Sequence, residues 1–225
     1  MRPCAPLARA LLSVPVVSVF LLFGSGWSQT GTVLTKQKIS DLEGGFLEPL
    51  GNADEFGGAV AYLGDLDGAG PSVGAVAIGA IGDDDGGSSR GAVYVLFLSD
   101  AGSVLAYQKI SDTSGGFAEP LGNADEFGSS LAGLGDLDGA GPSVAALAVG
   151  TVGDDDGGSD RGAVYVLFLN ATGNVLSYQK ISDTSGGFAE PLGDSDELGG
   201  TVAFLGDLDG AGPSAAALAV GAVGD

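Results

Sequence analysis

The chain has 225 residues, 29 of them acidic against 8 basic, no histidine, and a formal net charge of −21. A phosphate-binding surface needs a basic face, and here the few Lys and Arg residues are scattered singly, so nucleic acid is excluded as the expected partner. The lack of His removes His-based catalysis and His metal ligands, and the single cysteine, Cys4, lies in the leader described below. Glycine is abundant at 42 residues. Dense apolar runs such as Ala92-Val93-Tyr94-Val95-Leu96-Phe97-Leu98 can nevertheless bury a core, which disordered segments lack. The glycines therefore read as turns and close packing in an all-β protein.

Residues 1–28 read as a secretory signal peptide. Arg2 and Arg9 form a positive start, Leu11 to Phe23 is uncharged and apolar, and Gly26-Trp27-Ser28 offers small residues for cleavage after Ser28. The run is short for a bilayer span, and Gly and Asp interrupt every later apolar stretch, so no membrane span is expected after the leader is removed. The predicted location is secreted or cell surface.

Beyond the leader an internal repeat organises the chain. Phe56-Gly57 recurs as Phe127-Gly128 and Leu198-Gly199, a constant step of 71 residues (127 − 56 and 198 − 127). Lys38-Ile39-Ser40-Asp41, Lys109-Ile110-Ser111-Asp112 and Lys180-Ile181-Ser182-Asp183 keep the same step. The units are 38–108, 109–179 and a truncated 180–225, preceded at 29–37 by the last strand of an earlier unit. Self-similarity at a fixed period signals a repeat architecture.

Within the second unit four strands are predicted, at Gly128–Gly135, Val144–Val152, Gly162–Leu169 and Val175–Ser182. Turn sequences separate them: Asp138-Gly139-Ala140-Gly141-Pro142, Asp156-Gly157-Gly158 and Ala171-Thr172-Gly173-Asn174. Four antiparallel strands per repeat make the blade of a β-propeller, with the small-residue first strand nearest the crowded axis. A ring needs about four blades or more. The expectation is an incomplete propeller, a piece of a longer chain. A nine-residue calcium β-roll and a helical solenoid both fail on period.

These residues resemble the FG-GAP repeat family, the repeats of the integrin α-subunit propeller. The Phe-Gly part is Phe56-Gly57 and Phe127-Gly128, diverged at Leu198-Gly199. The Gly-Ala part is Gly79-Ala80 and Gly221-Ala222, diverged at Gly150-Thr151, with Ile81, Val152 and Val223 in place of the family's Pro. Between them lies Gly-Asp-Leu-Asp-Gly, at 64–68, 135–139 and 206–210. The resemblance implies Ca2+ binding through Asp65 and Asp67, Asp136 and Asp138, and Asp207 and Asp209. Ca2+ wants six to eight oxygens, which closely spaced carboxylates and glycine turns can supply. The family's third Asp is replaced by Ala69, Ala140 and Ala211, which leaves two carboxylates per loop, and an EF-hand is excluded because its twelfth position would be Val76.

Strand order sorts the loops onto two ends. The Gly-Asp-Leu-Asp-Gly loops share one end with the third-to-fourth turns. The other end carries Asp54-Glu55 and Asp83-Asp84-Asp85 in the first unit, and Asp125-Glu126 and Asp154-Asp155-Asp156 in the second. Loops on a rigid scaffold are where binding concentrates, and the resemblance implies a ligand-recognising surface there. The Asp triplets are expected to be exposed, so nothing would separate their pKa values for acid–base work. Arg90 and Arg161 are expected to neutralise acidic neighbours. Asn170-Ala171-Thr172 matches the N-glycosylation pattern.

No catalytic constellation emerges, and no enzyme is expected. The leading expectation is an extracellular recognition or adhesion module binding a protein or a glycan. The alternatives are a structural spacer array on a surface or in a matrix, and a non-catalytic propeller of a larger secreted enzyme.

Overall fold

The computed structural model describes residues 17–21, 33, 35–68, 70, 72–137, 139, 141, 144–208 and 216–224. Among them there is no helix, and all strand pairing within the sheets is antiparallel.

Two four-stranded sheets form the centre. The first runs in sequence order β3 (Val60–Gly64), β4 (Gly74–Ala80), β5 (Ala92–Leu98) and β6 (Val104–Ile110). The second repeats it as β7 (Leu131–Gly135), β8 (Ala145–Thr151), β9 (Ala163–Leu169) and β10 (Val175–Ile181). A two-stranded pair, β11 (Leu198–Gly206) and β12 (Ala217–Ala222), follows. The predicted strands therefore form where the alternation and turn chemistry place them. The main difference is at the first strand of the second unit, where the regular ladder begins at Leu131 because the N–H groups of Gly128 and Ser129 both converge on the Gly150 C=O, an irregular pairing that Gly150 N–H returns to Ser130 C=O.

The sheets stack face to face. Val93, Val95 and Phe97 of β5 point into the layer shared with Leu147, Tyr165 and Leu167 of the second sheet. Tyr94, Leu96 and Leu98 point to the opposite layer, with Ile39, Phe46 and Phe56. A strand buried on both faces has no use for alternation, which explains the uninterrupted run of seven buried residues in β5. The outer strands β6 and β10 are half exposed and do carry polar positions. The second sheet repeats the arrangement toward β11 and β12 through Ala146, Ala148 and Val164 against Val202, Leu218 and Val220.

Glycine lets the inner strands touch. A Cβ on Gly133 would lie 2.2 Å from the Tyr62 carbonyl oxygen of the neighbouring sheet, and one on Gly150 would lie 2.0 Å from that of Gly199. Only a residue without a side chain allows such backbone contact.

At the N-terminal side β1 (Val17–Leu21) pairs with β2 (Thr35–Ile39). Val17 lies opposite Ile39 as Val93 lies opposite Ile110, so the apolar N-terminal run takes the register of a third strand against a fourth. The expected cleavage point after Ser28 lies outside the described residues.

Candidate functional site

The loop end carrying the Asp triplets is the more elaborately bonded of the two. Asp83 follows β4 and Lys109 lies on β6, with β5 between them. Lys109 Nζ lies 2.8 Å from Asp83 Oδ2 and 2.8 Å from Asp85 Oδ2, and sits 5.5 Å from the centre of the Tyr94 ring. The Tyr94 hydroxyl donates to Asp83 Oδ2 at 3.1 Å, and the Asp85 N–H donates to Asp83 Oδ1. Ser111 and Thr113 hydroxyls donate to Asp85 Oδ2.

The second unit repeats the cluster. Lys180 Nζ lies 2.8 Å from Asp154 and 2.9 Å from Asp156, and the Tyr165 hydroxyl donates to Asp154 at 3.2 Å. Asp83 and Asp154 are only 4% and 3% exposed. The expectation that the triplets lie on the surface is therefore corrected for their first members. Each is drawn inside by a lysine from the repeated Lys-Ile-Ser-Asp segment, because a buried carboxylate needs a partner charge and hydrogen bonds.

The protonation behaviour follows from this geometry. Burial alone lowers the pKa of a lysine, but hydrogen bonds to the two aspartates outweigh it and raise that of Lys109, and likewise Lys180. Burial pulls Asp85 and Asp156 upward, yet the lysine hydrogen bond and charge hold both carboxyls below the usual range. Burial, with the Asp83 and Asp154 charges, pushes the Tyr94 and Tyr165 hydroxyls far up, so both stay protonated donors.

The middle members behave differently. Asp84 and Asp155 are exposed, accepting the backbone N–H groups of Ser89 and Asp160. Asp54 and Asp125 cap their own turns by accepting the N–H of Gly51 and Gly122 at 2.7 Å. Asp125 is buried, and burial pushes its carboxyl up to about 6 despite the Gly122 bond. Asp54 is raised by burial in the same sense.

Glu55, Glu126 and Glu197, one per repeat, all adopt positive φ, at 53°, 57° and 55°. Burial raises the Glu126 carboxyl first, and the charges of Glu55 and Glu197 raise it further. The three glutamates thus form a row in which the middle carboxylate feels both neighbours.

Arg90 and Arg161 neutralise acids as expected, though not those of the adjoining triplet. Arg90 Nη1 lies 2.7 Å from Asp112, and its Nε donates to Asn123 Oδ1. Arg161 pairs with Asp183 at 2.6 Å and Asp194 at 3.0 Å. Each arginine ties the loop before a third strand to the connection that leads into the next sheet. The backbone does the same: Phe127 N–H donates to Arg90 C=O, and Leu198 N–H to Arg161 C=O, both at 2.9 Å.

The long connection at this end is an inward plug. Phe46 and Phe117 stack on Phe56 and Phe127 at 5.0 and 4.8 Å, each edge-on to the buried tyrosine. Tyr107 and Tyr178 clamp the plugs from outside through Glu48 and Glu119.

The opposite end holds the Gly-Asp-Leu-Asp-Gly loops. Asp65 Oδ1 accepts the Gly68 N–H at 3.1 Å, Asp136 Oδ1 accepts the Gly139 N–H at 3.0 Å, and Asp67 Oδ1 accepts from the Ser72 hydroxyl at 2.7 Å. Asp207 stands at the equivalent first position, and Asp138 and Asp209 lie outside the described residues. Among the described residues no three acidic, His or Cys side chains converge as metal ligands. Two carboxylates per loop supply fewer oxygens than the six to eight that Ca2+ takes, so backbone carbonyls and water would have to complete its shell there. Asn170 lies in the turn after β9, where its Oδ1 accepts from Thr172 and from the Asn174 N–H.

The buried lysine, tyrosine and aspartate cluster was missed by sequence reasoning. Its signal was the 71-residue recurrence of Lys109, Tyr94 and Asp83 as Lys180, Tyr165 and Asp154. Comparison with models of known protein families and with curated proteins finds no match to this chain.

Proposed function

We propose that this chain is part of an FG-GAP-type β-propeller, secreted or displayed on a cell surface, whose triplet-bearing loop end recognises an extracellular protein. One observation carries the reading. In successive repeats the same aspartate, lysine and tyrosine bonding fixes the loops from inside, while Asp84, Asp155 and Glu55 stay exposed. Loops held on a rigid scaffold suit recognition better than chemistry, because the carboxylates with a lysine partner are already spent in structure.

The outward residues at this end are mainly acidic, so the fitting partner presents a basic patch, and a neutral or cationic glycan is the next candidate. Acidic clusters attract such partners at long range and lose them in salt. The chain, immobilised and presented with a panel of extracellular proteins and glycans, should bind a basic protein saturably. That binding should weaken as salt rises and fall in a variant combining Glu55→Gln, Asp84→Asn and Asp155→Asn. A panel with no saturable ligand at low salt rejects recognition and favours the structural spacer.

A further inference from the structure

The turn after β9 carries chemistry that its counterpart after β5 lacks, although the two share one backbone. In the first unit the Ser99 N–H donates to Ser103 C=O and the Gly102 N–H to Ser99 C=O, and in the second Asn170 and Gly173 repeat both bonds, all at 2.9 Å. Ser99 Oγ accepts the Ser103 N–H at 3.1 Å, and Asn170 Oδ1 accepts the Asn174 N–H at 3.0 Å. A serine is thus enough to close this turn. Asn170 and Thr172 stand where the first unit has Ser99 and Ala101, and no other Asn of the chain is followed two residues on by Ser or Thr.

The two ends of the Asn170 amide are used differently. Its oxygen also accepts from the Thr172 N–H at 2.9 Å and the Thr172 hydroxyl at 2.8 Å. Among the described residues its Nδ2 has no hydrogen-bond partner and is not one of the buried unpaired atoms, so it reaches solvent. A group attached there breaks no bond of the fold. The turn itself is fixed, because Gly173 is buried at φ 79° and a Cβ on it would lie 3.2 Å from Gln108 Cβ and from Val95 Cγ1 of the first sheet. Beside the turn lies a groove of about 510 Å3, lined by Phe97, Ala106 and Gln108 of the first sheet, Ala171 and Thr172 of the turn, and Asp67 of the Gly-Asp-Leu-Asp-Gly loop.

We infer that Asn170 carries an N-linked glycan whose first sugar, an N-acetylhexosamine, lies in this groove between the two sheets. The donor is a polyprenyl-diphosphate-linked oligosaccharide brought by a transferase of the secretory pathway. Nδ2 bonds to C1 of the sugar, the C1–O bond to the diphosphate breaks, and the amide proton leaves with the diphosphate. Asn-Ala-Thr is the acceptor pattern, and such a glycan needs a surface turn. The groove has the mixed lining that holds a sugar. Phe97 and Ala106, which face each other across the β5–β6 ladder, offer apolar contact to the ring and the N-acetyl methyl, and Asp67 and Gln108 offer polar atoms to its hydroxyls. The glycan stands at the end opposite the Asp triplets and leaves the acidic loops open. The inference rests on the extracellular reading above, since the donor and its transferase belong to the secretory pathway.

The test expresses the full chain in a glycosylating eukaryotic host, once as it stands and once with a host secretion leader and a control acceptor sequence fused ahead of Met1. Intact mass is read in cell extract and medium alike, so a chain held back by misfolding still counts. The fused chain should gain a glycan at Asn170 that peptide N-glycosidase removes. Asn170→Ser and Thr172→Ala, each restoring the first unit's residue, should abolish it, and Thr172→Ser should keep it. In the glycosylated chain, NMR should show contacts from the N-acetyl methyl to the Phe97 ring. A fused chain modified at the control sequence but bare at Asn170 overturns the inference, and a glycan without contact to Phe97 overturns its place in the groove. A chain glycosylated only when the host leader is fused counts against the secretion reading and leaves the acceptor assignment standing.

Discussion

Lys109 and Asp83 meet at 2.8 Å across the width of β5, with the Tyr94 ring as the floor between them. Register makes this possible. Tyr94 lies directly opposite Lys109 in the β5–β6 ladder, so the lysine stem runs over the ring to reach the loop that follows β4. Lys109→Met keeps the stem and removes the charge, stranding a carboxylate that is only 4% exposed. Breaking a buried pair from one side costs about 3–5 kcal/mol, whereas replacing both partners with apolar groups is close to neutral. Urea unfolding should therefore show a large loss for Lys109→Met and a much smaller one for the double variant Lys109→Met with Asp83→Leu. Equal losses in the two would mean that the pair is not an energetic unit.

Gly150 and Gly141 separate close packing from chain flexibility. A Cβ at Gly150 would meet the Gly199 carbonyl oxygen at 2.0 Å and the Ser130 hydroxyl at 2.4 Å, and backbone cannot swing away as a side chain can. Gly150→Ala should force the second sheet away from β11 at a cost of about 1–3 kcal/mol or more, as overpacking does. Gly141 has open space around the same position, so Gly141→Ala should change stability by less than about 1 kcal/mol and leave the sheets in place. Thermal unfolding of the two variants checks both values.

The strands were legible because each leaves a local mark: apolar runs of seven, bounded by Asp-Gly and Gly-Pro turns, repeated at 71 residues. The buried end of the acid triplet was not. Asp83, Asp84 and Asp85 are chemically identical in sequence, and only the position of Lys109, two strands later, decides which of them goes inside. The plug formed by Phe46 and Phe117 was hidden for a related reason. Phe46 and Phe117 share the 71-residue recurrence, but a single phenylalanine in a Gly- and Pro-rich connection carries no strand or helix period, and its stacking partners, Phe56 and Phe127, lie ten residues on. The Arg90 and Asp112 pair joins groups 22 residues apart, beyond any local rule.

Asp125 gives the chain a pH signature below neutrality. Its carboxyl is pushed from 3.8 up to about 6 by burial, with the nearby Asp154 and Asp155 charges adding to the effect. The folded state thus holds this proton more tightly than the unfolded chain. Its contribution is complete below about pH 4 and is lost as pH rises through about 6, so stability should fall across that window. The full effect of about two pH units is roughly 3 kcal/mol at most. Asp125→Asn should flatten the slope of unfolding free energy between pH 4 and 6. Asp85 and Asp156, held low by their lysines, act in the opposite sense, and their contribution disappears only as pH falls below about 4. A carbon-detected NMR titration that returns an ordinary aspartate value for Asp125 would contradict the expected slope.

Calcium discriminates between the resemblance and the residues. The Gly-Asp-Leu-Asp-Gly loops look like metal loops in sequence, but Asp65 and Asp136 each spend one oxygen capping the turn, and Asp67 accepts from Ser72. Ala69, Ala140 and Ala211 add no carboxylate. A ligand that binds only the folded state raises its melting temperature by mass action, so Ca2+ titration reads occupancy directly. Millimolar Ca2+ should move the melting temperature no more than Mg2+ does at the same ionic strength, since both then act by screening the net charge of −21. Substituting Asp for Ala69 and Ala140 restores a third carboxylate to each loop. That variant should gain a Ca2+-specific rise while the parent shows none. A specific rise in the parent, lost in Asp65→Asn with Asp67→Asn, would mean that backbone carbonyls and water complete the shell that the side chains leave short.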